Sequence, residues 1–135
     1  MPRAIAMVLL LALAGCGART AAGSVAAGPQ FWRPSATKDL WRIAGTLETR
    51  RVRSGFFSRP EHEVFITIND QVAMHGDMPR DRTVELAGRA QGSNVGAICT
   101  PVMVARATLQ VTCIVMVANE RATSLAFTAG TTPPG

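Results

Sequence analysis

Hydrophobic positions along the middle of the chain recur every second residue, not every third or fourth, and that spacing predicts strands. Over residues 63–68, Val64, Ile66 and Ile68 alternate with Phe65 and Thr67, and Asn69-Asp70 supplies a two-residue turn before residues 71–74. Both faces of this hairpin carry apolar side chains, as in a strand pair covered on two sides or set at a barrel corner. A second hairpin is predicted from Val84 and Leu86, a turn at Gln91-Gly92-Ser93-Asn94, and a return through Val95, Ala97 and Cys99. The cleanest alternation, Leu109, Val111, Cys113, Val115 and Val117, leads through a turn at Asn119-Glu120-Arg121 to a last strand over residues 123–127. Residues 40–52 are ambiguous: Ile43, Leu47 and the threonines favour a strand from about Arg42, while Ser35 and Thr37 are placed to cap a helical turn before it. The sum is an all-β domain, a small antiparallel sandwich or barrel of six to seven short strands joined mainly by hairpins, with no internal repeat.

Composition limits what surrounds that domain. The chain has 135 residues, 47% of them hydrophobic and 17% charged, which is one domain's worth and too apolar for a disordered chain. Its only long apolar run, residues 4–14, is too short to span a bilayer. Residues 17–30 are mostly Ala and Gly without periodic large apolar side chains and read as a flexible tether, with a reach of roughly 20 Å. Residues 129–135, rich in Thr, Pro and Gly, read as a disordered tail, so the expected β domain is 31–128.

The front end has the form of an export signal: Arg3 supplies a positive charge, an aliphatic stretch with Val8, Leu9, Leu10 and Leu11 follows, and small residues come next. That stretch ends in Leu13-Ala14-Gly15-Cys16, which resembles the lipobox of bacterial lipoproteins. The resemblance covers the first sixteen residues alone. It implies a signal peptide over residues 1–15, cleavage after Gly15, a diacylglyceryl thioether on Cys16 and acylation of its new amino group. Several acyl chains give stable anchoring, because each buried methylene contributes about 0.8 kcal/mol and one chain alone is marginal. Gly17 stands where inner-membrane retention places an aspartate, so the resemblance points to the outer membrane and its periplasmic face. In general layout the chain is also similar to small periplasmic β-barrel lipoproteins that inhibit lysozyme, but no motif of the mature domain matches them and that activity is not carried over.

Three cysteines are an odd number for an exported protein until lipidation takes Cys16. Cys99 and Cys113 then remain in an oxidising compartment, where a disulfide is the default and a pair of buried thiols the alternative. Their midpoint is Arg106, so a turn over residues 104–108 sets them opposite each other across an antiparallel pair. There is no Cys-x-x-Cys and no neighbouring histidine to support redox or metal chemistry.

The net charge of +5 is unevenly placed. Residues 31–59 hold seven basic against two acidic side chains, and residues 60–135 hold five arginines against seven acids. Arg50, Arg51, Arg53 and Arg59 flank Phe56-Phe57, a combination that fits an anionic lipid surface or an acidic partner, with an ordinary solvated hairpin as the bland reading. Nucleic acid is excluded as a routine partner of an exported, tethered domain. Among the few aromatic residues, Trp41 and Phe57 are expected in the core, and Trp32 and Phe56 at a contact surface.

Catalytic signals are weak. If Asn69-Asp70 is the turn, continuous pairing places His62 opposite Asp77, with His75 diagonal to His62 and Glu61 and Glu63 on the other face. His62, His75 and Asp77 are thus the candidate metal ligands, although no His-Glu-x-x-His pattern accompanies them. No Gly-x-Ser-x-Gly elbow or phosphate-binding glycine loop is present. The expectation is a non-enzymatic envelope lipoprotein without a cofactor beyond its covalent lipid, whose β domain binds or supports another envelope component. The rivals are an accessory subunit of an envelope or secretion assembly and a small metal-binding or hydrolytic domain. The sequence sets no oligomeric state.

Overall fold

Alternating side chains do become strands, eight of them: β1 (Gly23–Trp32), β2 (Trp41–Ser54), β3 (Phe57–Ile68), β4 (Gln71–Asp77), β5 (Val84–Ala90), β6 (Ser93–Ala105), β7 (Thr108–Val117) and β8 (Glu120–Ala129). The structure is a computed structural model and describes residues 23–35 and 39–130. Two antiparallel meanders form, β1-β2-β3-β4 and β5-β6-β7-β8, and they pack face to face as a β-sandwich. Edge strand β1 lies beside β8 and β4 beside β5, so each open edge of one sheet meets an edge of the other. No helix occurs among the described residues. The expected helical turn falls partly on Thr37, outside the described residues, while Ser35 lies in a turn.

The core is built from one face of each strand. Ile43 and Leu47 of β2 and Val64, Ile66 and Ile68 of β3 meet Val111 and Val115 of β7 and Leu125 and Phe127 of β8, all essentially inaccessible to solvent. Gly45 is the inward residue between Ile43 and Leu47, and a β-carbon there would come within 2.6 Å of the Phe127 ring. The missing side chain is what allows that ring to reach the sheet.

Three hairpins turn through two residues with positive φ: Asn69-Asp70, Gln91-Gly92 and Ala118-Asn119. The first is also the predicted turn, and it ties down the start of β2: the Arg42 amide donates to Asn69 Oδ1 at 3.0 Å and the Asn69 amide donates to the Arg42 carbonyl at 2.9 Å. The last turn falls one residue earlier than predicted, and an extra residue at Ala122 restores Leu125 and Phe127 to the core.

Two boundaries need correction. Residues 23–30, expected in the tether, form most of β1, and Ala129, expected in the tail, is buried and paired with Leu109. β1 is legible only through its partner, because it contributes few large apolar side chains and is interrupted by an irregularity at Gly28-Pro29, where a proline does not break the ladder of an edge strand. The predicted signal peptide, Cys16 and residues 131–135 lie outside the described residues.

Because every connection reverses the chain, alternate connections collect at opposite ends of the sandwich. One end, the turn end, carries the β1–β2 connection and the turns at Asn69-Asp70, Gln91-Gly92 and Ala118-Asn119. The other, the hairpin end, carries the β2–β3 and β6–β7 hairpins, the loop of residues 78–83, Gly23 and Ala129.

Candidate functional site

The histidines are separated by a single irregularity. Ile66 pairs with Met74 and Thr67 with Val72, so Ala73 is an extra residue in β4 and all pairing beyond it moves by one. Asp77 consequently faces Glu63, and His75 faces Phe65. His62 points into the sandwich with Val64 and Ile66, whereas His75 stands on the outer face, stacked on Phe65 with ring centres 5.7 Å apart and 3.4 Å from Glu63 Oε1. The candidate ligands His62, His75 and Asp77 are therefore not brought together, because a shift of one residue exchanges faces. Among the described residues, no three His, Cys, Asp or Glu side chains gather as a metal-binding group.

His62 has a structural setting instead. Its Nδ1 and the Thr49 hydroxyl share a hydrogen bond of 2.8 Å, and both residues are buried. Burial pushes the imidazole pKa below its usual value, and the charge of Arg80 adds in the same direction. The His62 carbonyl accepts a hydrogen bond from the Met78 amide at 2.8 Å, fixing the start of the loop that crosses between the sheets.

Cys99 and Cys113 are direct cross-strand partners, fully buried and joined as a disulfide, with Cα atoms 4.0 Å apart. That spacing belongs to the close, non-hydrogen-bonded class of antiparallel pair, where side chains approach most nearly.

The arginine-rich segment forms the projecting end of the β2–β3 hairpin, turning at Gly55-Phe56. Phe56 is fully exposed, and Phe57, expected in the core, is 80% exposed because it lies beyond the reach of the opposite sheet. Arg51 donates from both Nε and Nη2 to Ser58 Oγ, at 3.1 and 3.0 Å, and Glu61 lies within ion-pair distance of Arg50 and Arg59. The β6–β7 hairpin projects from the same end and exposes Val102, Met103 and Val104, residues that the sequence reading did not single out. Arg80, Arg82 and Arg106, from the half of the sequence where acids outnumber bases, join this end through the topology.

The turn end holds a cleft of about 340 Å³ between Trp32, Pro34 and Trp41 on one side and Gln91, Val117 and Glu120 on the other. Trp41 is buried as expected, and Trp32 meets it edge to face with ring centres 5.8 Å apart. Asp39 and Glu120 place carboxylates at this cleft, and Glu120 Oε2 accepts a hydrogen bond from the Ser35 hydroxyl at 2.9 Å. The sequence holds no motif for it, since its walls come from four separate connections.

No protein family, curated protein or solved structure matches this chain.

Proposed function

We propose that the protein is a non-enzymatic, lipid-anchored component of the bacterial cell envelope whose β-sandwich binds another envelope component in its tryptophan-lined cleft. The observation that carries this reading is polarity: the cleft lies at the turn end, whereas Gly23, seven residues after Cys16, lies at the other. A domain tethered through Cys16 presents the cleft away from its anchor. An aromatic wall beside Asp39 and Glu120 favours a partner segment with an apolar or cationic side chain. The buried disulfide accords with export to an oxidising compartment.

The test is a photo-crosslinking residue at Gln91, on the cleft, compared with one at His75 on the outer sheet face, each in intact cells. One dominant protein adduct from position 91, absent from position 75 and lost with Trp32→Ala, is the expected result. Adducts common to both positions would remove the cleft as the binding surface.

A further inference from the structure

We propose that the hairpin end of the sandwich is a membrane-docking surface that inserts the Phe56-Phe57 tip of the β2–β3 hairpin into an anionic lipid bilayer, with the β6–β7 hairpin resting at the headgroups. Its geometry draws on the anchoring of Cys16, but the docking surface itself is made by the described strands.

Three observations converge on this end. The first is apolar exposure: Phe56 is fully exposed and Phe57 80% exposed at the tip of the β2–β3 hairpin, and Val102 53% and Val104 54% exposed on the β6 stem that leads to the Arg106-Ala107 turn. The main core cluster is complete without them, so their position is not explained by packing between the sheets. Phe56 and Phe57 at the end of the β2–β3 hairpin, backed by its arginine-bearing stem, match the depth profile of a bilayer interface, with hydrocarbon below and headgroups above.

The second is charge. Arg50, Arg53 and Arg59 stand on the stem of the β2–β3 hairpin, behind Phe56 and Phe57. Arg80 and Arg82 lie on the neighbouring loop and Arg106 at the tip of the β6–β7 hairpin. Glu61 and Asp81 lie among them, and Glu48, Glu63 and Asp77 stand one level deeper, beside Gly23, so the positive charge is concentrated towards the tips. Phosphate and glycerol headgroups of anionic lipids complement these arginines, which sit at the level where headgroups lie when Phe56 and Phe57 enter the acyl region.

The third is the chain outside the described residues. Cys16 precedes Gly23 by seven residues, which reach at most about 25 Å even when fully extended. Because β1 begins at the hairpin end, an acyl anchor on Cys16 brings that end, and not the cleft, towards the bilayer. An apolar tip, a cationic collar and a short leash therefore share one end.

A lipid surface is favoured over an acidic protein because the two hairpin tips are separate protrusions, not one concave groove, and because the leash already sets the bilayer within their reach. The experiment uses the full chain purified from membranes, with a single environment-sensitive label on Ser54→Cys at the hairpin tip or on Gln71→Cys at the turn end. Each is reconstituted into vesicles of phosphatidylglycerol and phosphatidylethanolamine carrying spin-labelled quencher lipids, and flotation is measured in parallel. Quenching at position 54 and not at 71 is expected, and Phe56→Ser with Phe57→Ser should abolish it without changing the melting temperature. Arg53→Gln and Arg59→Gln should each weaken tip insertion about fivefold, and phosphatidylcholine vesicles should weaken it further. Flotation without quenching at position 54 would overturn docking while leaving the anchor in place, and equal quenching at both positions would overturn the orientation. A chain that fails to float yet is quenched at position 54 would keep docking and remove the anchor. Protection of the tip by a captured protein, with no quenching, would assign the surface to a protein partner instead.

Discussion

Gly88 of β5 lies directly against the carbonyl of Ala73, the extra residue of β4, so closely that the backbone leaves no room for a β-carbon. This is where edge strands of the two sheets meet, and the irregularity in β4 is what turns that carbonyl towards β5. Gly88→Ala must displace backbone, not a flexible side chain, and is expected to cost about 1–3 kcal/mol. Gly96→Ala, whose β-carbon would meet only the Leu86 carbonyl at 3.4 Å, is the matched control and should change stability by less than about 0.5 kcal/mol. Urea unfolding of the two variants checks the difference, and equal stabilities would show that the sheets do not meet at Gly88.

The buried pair of Thr49 and His62 predicts how stability changes with acid. Burial and Arg80 lower the folded-state pKa of His62 below its unfolded value of about 6.5. Between those two values the unfolded chain binds the proton more readily, so stability rises with pH there. The contribution of neutral His62 is complete above about pH 6.5 and is lost as pH falls through the unfolded pKa towards the folded one. Melting temperatures between pH 8 and about pH 5 should therefore fall on acidification, and His62→Gln should flatten that dependence. Thr49→Val leaves Nδ1 without its 2.8 Å partner and should cost about 1–3 kcal/mol at neutral pH.

These two relationships also mark the limit of what the chain discloses by inspection. Alternation from Val64 to Ile68 and from Leu109 to Val117 is a direct imprint of one buried face, so those strands and the all-β class were legible. Asn69-Asp70 was legible for a different reason, since few dipeptides adopt two successive positive φ angles readily. Ala73 was not, because an irregularity belongs to the pairing of two strands and leaves no mark on one. With it went the register of His75 and Asp77, and with them the grouping of these two residues with His62 as candidate ligands. β1 escaped notice because an edge strand of Ala and Gly is held by the ladder of β2 more than by its own side chains. Arg50 to Arg59 stood out as a run, whereas Arg80, Arg82 and Arg106 join them only when the strands have reversed.

Cys99 and Cys113 close a loop of about fifteen residues, for which chain entropy gives roughly 3 kcal/mol. Their bond is inside the core, where a reduced pair would remain packed as small apolar side chains, so reduction should weaken the domain without dismantling its sheets. Protein denatured without reductant should show neither thiol, and two should appear after reduction. Cys113→Ala is expected to lower unfolding free energy by about 2–4 kcal/mol while retaining a β spectrum by circular dichroism. Two free thiols in unreduced protein would contradict the pairing.

Cys16→Ala is the decisive substitution for the anchor. In the proposed anchor, a thioether on Cys16 and acylation of its amino group would together place several chains in the bilayer, and at about 0.8 kcal/mol per buried methylene this would exceed what a single acyl chain supplies. Without the sulfur neither the diacylglyceryl transfer nor the cleavage that depends on it can proceed. The variant should therefore accumulate with residues 1–15 attached and without acyl mass, whereas the parent should begin at a lipidated Cys16. Intact mass and the N-terminal peptide distinguish the two. In a two-membrane envelope, Gly17→Asp is expected to leave acylation unchanged and move the protein from the outer to the inner membrane fraction, separating the anchor from the address. A Cys16→Ala chain that is cleaved and membrane-bound like the parent would show that the resemblance to a lipobox is coincidental.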